Sequence, residues 1–183
     1  MDRRAFLENL GGGAASAFFG ASLIDLRRAG EFAAASSPQQ PWEFFTAPQA
    51  KLFDAVSAQI VPSDGTPGAR EAHVVRFADH ALATFLKERQ PEVTKALAAL
   101  DKFSRNADGK KAFEDRAGAD QIKVLEAFEK KKDDPSFGTL RQLTMAGMFS
   151  HPEHGGNFEK IGWKMIGYED RYSWAPPFGF YDR

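Results

Sequence analysis

From Thr46 to Met148 apolar residues recur at steps of three and four, the spacing of a helix face rather than the alternation of a strand. Thr46 is followed three residues later by Gln49, a capping-box pair, and Leu52, Phe53, Val56 and Ile60 follow at helical intervals. The spacing predicts a first helix over 47–61. Val61 to Gly68 holds two Pro and two Gly, which remove a backbone donor and favour positive φ, so the chain must turn there. Val74, Phe77, Ala81 and Phe85 line a second helix over 69–89. Pro91 suits the first turn of a third, whose stripe is Val93, Leu97, Leu100 and Phe103. Asn106-Ala107-Asp108-Gly109 breaks the pattern, a short turn is predicted around Phe113, and Ile122, Leu125 and Phe128 mark a fourth helix. Its last turn reads as basic, Lys130 to Lys132, where the helix dipole favours cations. Asp133-Asp134-Pro135 stops it, and Phe137, Leu140, Thr144 and Met148 give a fifth helix over 136–149. The predicted fold is all-α, a compact helical bundle with no internal repeat.

Both ends depart from this pattern. Arg3-Arg4 stands one residue before Phe6-Leu7, an arrangement that resembles the twin-arginine export signal. Gly11 to Ile24 is uncharged and, at 14 residues, too short to span a bilayer. Ala33-Ala34-Ala35 offers small residues for cleavage after Ala35. Residues 1–35 are therefore expected to be a twin-arginine-type signal segment directing the chain to the periplasm. Asp25, Arg27, Arg28 and Glu31 carry more charge than a simple signal does, which keeps a retained amphipathic helix open as the alternative. Residues 36–45 read as linker and lead-in, and 46–183 as one helical domain.

Beyond His151 the composition changes: eight aromatic residues fall in the last 33 positions, interrupted by Pro176, Pro177 and Gly179. This stretch, 151–183, is expected to be an extended aromatic-rich strap. Asn157 is a candidate cap for a short helix through Met165, and Trp163 and Tyr168 are expected to lie on the chain's own helices. Trp174, Phe178, Phe180 and Tyr181 are candidate contacts to another protein, because aromatic anchors dominate binding interfaces.

Charge narrows the choice of partner. Lys plus Arg number 24 against 25 Asp plus Glu, so no field of one sign draws the chain to nucleic acid or an anionic membrane. There is no Cys, which excludes disulfides, thiolate metal sites and a Cys nucleophile. No Gly-x-Gly-x-x-Gly, nucleophile elbow or heme-attachment pair occurs, so neither catalytic nor cofactor-binding residues are assigned. His73 and His80 lie two helical turns apart, too far to share a metal, and are expected at the surface or the edge of the core. His151 and His154, with Glu153 between them, are the alternative: a small stand-alone periplasmic metal protein or enzyme. A metal there lacks evident third and fourth ligands. Gly155-Gly156-Asn157 does not follow a strand and reads as a tight turn rather than a phosphate loop.

Phe44-Phe45-Thr46, Ile60-Val61-Pro62, Thr66-Pro67-Gly68-Ala69, then Pro152-x-x-Gly155-Gly156-Asn157 with Gly162-Trp163 and Ile166-Gly167-Tyr168, occur in this order behind the leader. Together they resemble the gluconate 2-dehydrogenase subunit 3 family. The resemblance implies a non-catalytic small subunit of a periplasmic complex that oxidises a sugar, sugar acid or glycoside. It implies a large flavoprotein partner of the glucose-methanol-choline type, which carries the FAD, often with a cytochrome c. Any membrane association is then through the complex. His154 stands where the family more often has Tyr. Twin-arginine export moves folded cargo, so a flavin-loaded partner without its own signal can travel bound to this chain.

Overall fold

A computed structural model describes residues 41–107, 110–131 and 133–171. Among them there is no strand, and the main helices are α1 (Ala47–Ile60), α2 (Val74–Ala83), α3 (Gln90–Asn106), α4 (Gly118–Glu129), α5 (Ser136–Phe149) and the short α6 (Ile161–Met165). Single 3-10 turns lie at Lys87–Arg89, Phe113–Asp115, Pro152–His154 and Phe158–Lys160. The fold is all-α. None of the described helices is long and apolar enough to cross a membrane.

Helix α5 is the hub and packs on α1, α2, α3 and α4. One continuous core results, in which Phe53, Phe77, Phe113, Phe128, Leu82 and Leu140 are among the side chains removed from solvent. Each such burial stabilises the fold by roughly 1.5 to 3 kcal/mol. The capping box at the start of α1 is complete: Gln49 N–H donates to Thr46 Oγ1 and Thr46 N–H to Gln49 Oε1.

Three helix ends differ from the sequence reading. The second helix covers only 74–83 of the expected 69–89. Residues 69–73 form turns, with His73 left-handed at φ 56°. At the other end, the Thr84 hydroxyl donates to the His80 carbonyl at 2.6 Å, and the Gln90 carboxamide donates to the Leu82 carbonyl at 2.7 Å. These side chains satisfy carbonyls that a continuing helix would have used. The fourth helix stops at Glu129, so its last turn holds no basic residue, and Lys131 lies beyond it, paired with Asp134 over Phe103 and Phe128.

Ile122 is 47% exposed, whereas Gln121 occupies the expected core position. The Gln121 carboxamide donates to the Phe113 carbonyl at 3.0 Å and accepts from Gln59 Nε2 at 2.7 Å, stitching α4 to α1 and to the turn between α3 and α4. A buried amide with both functions satisfied is tolerated there. The expected extended strap, as far as residue 171, is instead a string of short helical turns folded against α5 and α2.

Candidate interaction face and the residues that build it

Asp79 on α2 is buried, and its carboxylate accepts three backbone N–H groups from the lead-in: Glu43 at 2.8 Å, Phe44 at 2.9 Å and Phe45 at 2.8 Å. A helix face thus binds a non-helical segment 34 to 36 residues away. Bonds of this kind to an ionised acceptor are stronger than neutral ones. His80, expected at the edge of the core, is buried, with Nδ1 at 3.2 Å from the Glu43 carboxylate. The clamp seats Phe45 against Phe53 and leaves Trp42 under the Arg76 guanidinium, 3.9 Å from the ring centroid.

The Gly-Gly-Asn turn packs against Phe77 on the same helix, α2, and against the end of α5. Asn157 is fully buried: its N–H donates to Gly147 O at 2.9 Å, its Nδ2 to Ser150 O at 2.9 Å, and its Oδ1 accepts from Gly162 N–H at 2.7 Å. Trp163 Nε1 donates to Phe149 O at 2.9 Å. Three of these bonds, to Gly147, Ser150 and Phe149, reach carbonyls in the last turn of α5 and just beyond it, the groups a helix end leaves unpaired. Close approach demands the small residues. A Cβ on Gly156 would lie 2.3 Å from Gly147 O, and one on Gly162 1.9 Å from Met148 O. Gly155 takes φ 87°. Phe158 N–H donates to Ala72 O, which ties the same module to the approach of α2.

Glu159 and Lys160 have positive φ as Asn157 does, and Phe158, directly after Asn157, is 44% exposed and stacks on His73 at 4.4 Å between centroids. His73 in turn borders an open groove of about 360 Å³ between the first turns of α1 and the start of α2. Trp42, Lys51, Asp54, Arg70 and Arg76 are among its walls. Arg70 Nε pairs with Asp54 at 2.9 Å, and Lys51 Nζ with Asp115 at 2.8 Å. Ile166 and Tyr168 are also exposed on the module, and Tyr168 meets the Trp163 ring edge-on. Trp174, Phe178, Phe180 and Tyr181, like Arg3, Arg4, Phe6 and Leu7, lie outside the described residues.

The histidine pair is split by environment. His151 is exposed, and its Nδ1 accepts the Glu153 N–H at 3.4 Å. His154 is buried beside Phe85, and its Nδ1 has no hydrogen-bond partner. Among the described residues no group of three or more His, Cys, Asp or Glu is placed to hold a metal. Burial first, and then the neighbouring His151, push the His154 imidazole below its ordinary value, with Glu153 opposing and His80 adding to the fall. Burial and Arg76 likewise depress His73. A folded-state pKa below the unfolded one means the unfolded chain binds protons first on acidification. Stability should be complete above pH 6.5, the ordinary value, and fall as pH drops below it towards the depressed folded values. Melting temperatures between about pH 7.5 and 5 test this. His154→Phe should flatten the slope, and an unchanged slope would remove His154 as its source.

Asp79, Trp42, Arg76 and Phe158 were not distinguished by sequence pattern. No curated protein and no solved structure matches the chain. Residues 47–170, most of the chain and nearly all of its described part, match the family described as gluconate 2-dehydrogenase subunit 3. The stretch runs from the start of α1 through the Gly-Gly-Asn turn and Trp163, so Asp79 and the cap on α5 fall within it, while Trp42 and the clamped residues 43–45 lie just before it. The chain therefore belongs to the gluconate 2-dehydrogenase subunit 3 family and is a subunit of a multi-subunit dehydrogenase.

Proposed function

We propose that this chain is the non-catalytic small subunit of a periplasmic FAD-dependent dehydrogenase acting on a sugar, sugar acid or glycoside. It binds and stabilises the large flavoprotein subunit, which holds the FAD, and carries it through twin-arginine export. A cytochrome c is often a further member of such complexes. Family membership over residues 47–170 is the observation that carries this reading. The bundle supports it by holding aromatic side chains at its surface on a turn anchored by the buried Asn157.

Expression alone and with the adjacent flavoprotein tests the role. Flavin absorbance and dye-reducing activity are expected only in the co-expressed complex. Activity or stoichiometric metal in the isolated chain would overturn it in favour of His151, Glu153 and His154. Export is tested separately by replacing Arg3 and Arg4 with Lys. The double substitution should strand both subunits in the cytoplasm, with periplasmic dehydrogenase activity falling roughly tenfold or more. A partner exported at the normal level would show that it does not travel on this chain.

A further inference from the structure

We infer that residues 152–160 form an acid-released latch: protonation of His154 and His73 detaches this segment from α2 while its bonds to α5 hold. Every group involved belongs to this chain, so the inference is independent of the accessory-subunit reading.

The segment is held on two sides by contacts of different chemistry. On the α5 side the bonds are neutral, from Asn157 N–H to Gly147 O and from Asn157 Nδ2 to Ser150 O. On the α2 side the contacts run through imidazoles. His154 is buried beside Phe85, with ring centroids 5.6 Å apart, and Phe158 stacks on His73 at 4.4 Å. A backbone bond from Phe158 N–H to Ala72 O, at 3.2 Å, lies next to the second contact.

Neither imidazole is placed to carry a charge. A protonated ring has two N–H donors and no acceptor. At His154 that puts a donor on Nδ1, which has no hydrogen-bond partner, inside a site only 8% exposed. The groups facing this ring are His151 and Glu153 on its own turn and His80 on α2, with Glu43 of the lead-in behind His80. Each of those carboxylates already serves another imidazole: Glu153 lies 3.5 Å from His151 Nδ1, and Glu43 3.2 Å from His80 Nδ1.

His73 stands at the N-cap of α2, where the helix dipole disfavours a cation. It faces Arg76 on its own helix, Lys51, Asp54 and Arg70 across the groove, and Glu159 on the latch. Asp54 is engaged by Arg70 at 2.9 Å, and Lys51 by Asp115. Once released, both rings meet water and return to their ordinary value of 6.5. The released state therefore takes up protons first as pH falls below that value, and its population grows. The lead-in on the same helix responds differently, because a protonated His80 donates to Glu43 and keeps that segment in place.

Amide exchange on the full chain, corrected for intrinsic rates, tests the latch between about pH 7.5 and 5.5. The Phe158 amide, bonded to Ala72 on the α2 side, should lose protection roughly tenfold. The amides of Asn157, bonded to α5, and of Phe45, bonded to Asp79, should keep theirs. His154→Phe should remove most of the Phe158 response, and in the wild type a return to the higher pH should restore protection. Should that variant fold poorly, ring titrations of the wild-type histidines decide. Opening requires His154 and His73 to take up protons over the same range in which the Phe158 amide loses protection, and titration outside that range sinks the latch. A Phe158 amide indifferent to pH, protection lost equally across α2 and α5, or a His154→Phe chain that keeps the full wild-type response would each overturn it.

Discussion

Asp79→Ala lowers the free energy of unfolding by about 3 kcal/mol and frees residues 42–45 from the body of the protein. The carboxylate takes the N–H groups of Glu43, Phe44 and Phe45, and the Phe45 bond is buried. Removing the acceptor leaves these donors facing a helix that offers none, since the α2 carbonyls are used within the helix. The segment is half-exposed, so water re-solvates Glu43 and Phe44, and the loss is smaller than three full charged bonds. Asp79→Asn separates charge from shape. Its oxygen can keep the Phe44 and Phe45 bonds that Oδ1 makes, while its amide nitrogen would face Glu43 N–H. A loss of about 1 kcal/mol is expected there. Urea unfolding measures both, and exchange at Phe44 and Phe45 should speed up before global unfolding does. An Asp79→Ala protein with a wild-type midpoint would show that packing of Phe45, not the carboxylate, holds the lead-in.

The clamp marks the boundary of what sequence pattern reveals. Five helices were legible because an amphipathic stripe is local: Leu52, Phe53 and Val56, or Leu140, Thr144 and Met148, need only their own spacing to declare a buried face. Asp79 was not legible, because its partners are backbone groups 34 to 36 residues away and carry no side-chain signature. The early end of α2 depends on Gln90 reaching back to Leu82, and Gln121 displaces Ile122 from the core because Gln59 and Phe113 satisfy its amide. Each is a tertiary bond overriding a periodicity. The Gly-Gly-Asn turn was half legible. Positive φ at Gly155 follows from residue type, but that Asn157 reads the carbonyls at the end of α5 follows only from the packing of two elements. The candidate face was the least legible part, since Trp42 and Phe158 meet through His73 and Arg76 and share no sequence interval.

Gly162→Ala tests whether that face depends on the cap. A Cβ at residue 162 would sit 1.9 Å from Met148 O, well inside the 3.0 Å that real Cβ atoms respect, and 2.9 Å from Met148 C. Met148 belongs to α5, whose carbonyls are fixed by the hub of the bundle, so α6 must be the element that retreats. A shift of about 1 Å stretches the 2.7 Å bond from Gly162 N–H to Asn157 and the 2.9 Å bond from Trp163 Nε1 to Phe149 O beyond useful length. The cost is about 3 kcal/mol or more, taken either as lower global stability or as detachment of residues 157–168. Gly138→Ala is the opposed control. Nothing lies within 4 Å of its added methyl inside α5, so replacing a helical Gly should stabilise by up to about 1 kcal/mol. Melting curves and Trp163 fluorescence separate the two modes, since detachment changes the indole's surroundings below the main transition. In either mode Phe158 loses its fixed orientation over His73. A Gly162→Ala chain that keeps wild-type exchange rates at Asn157 and a wild-type melting curve would show that α6 moves away at no cost, and that the cap does not hold the turn.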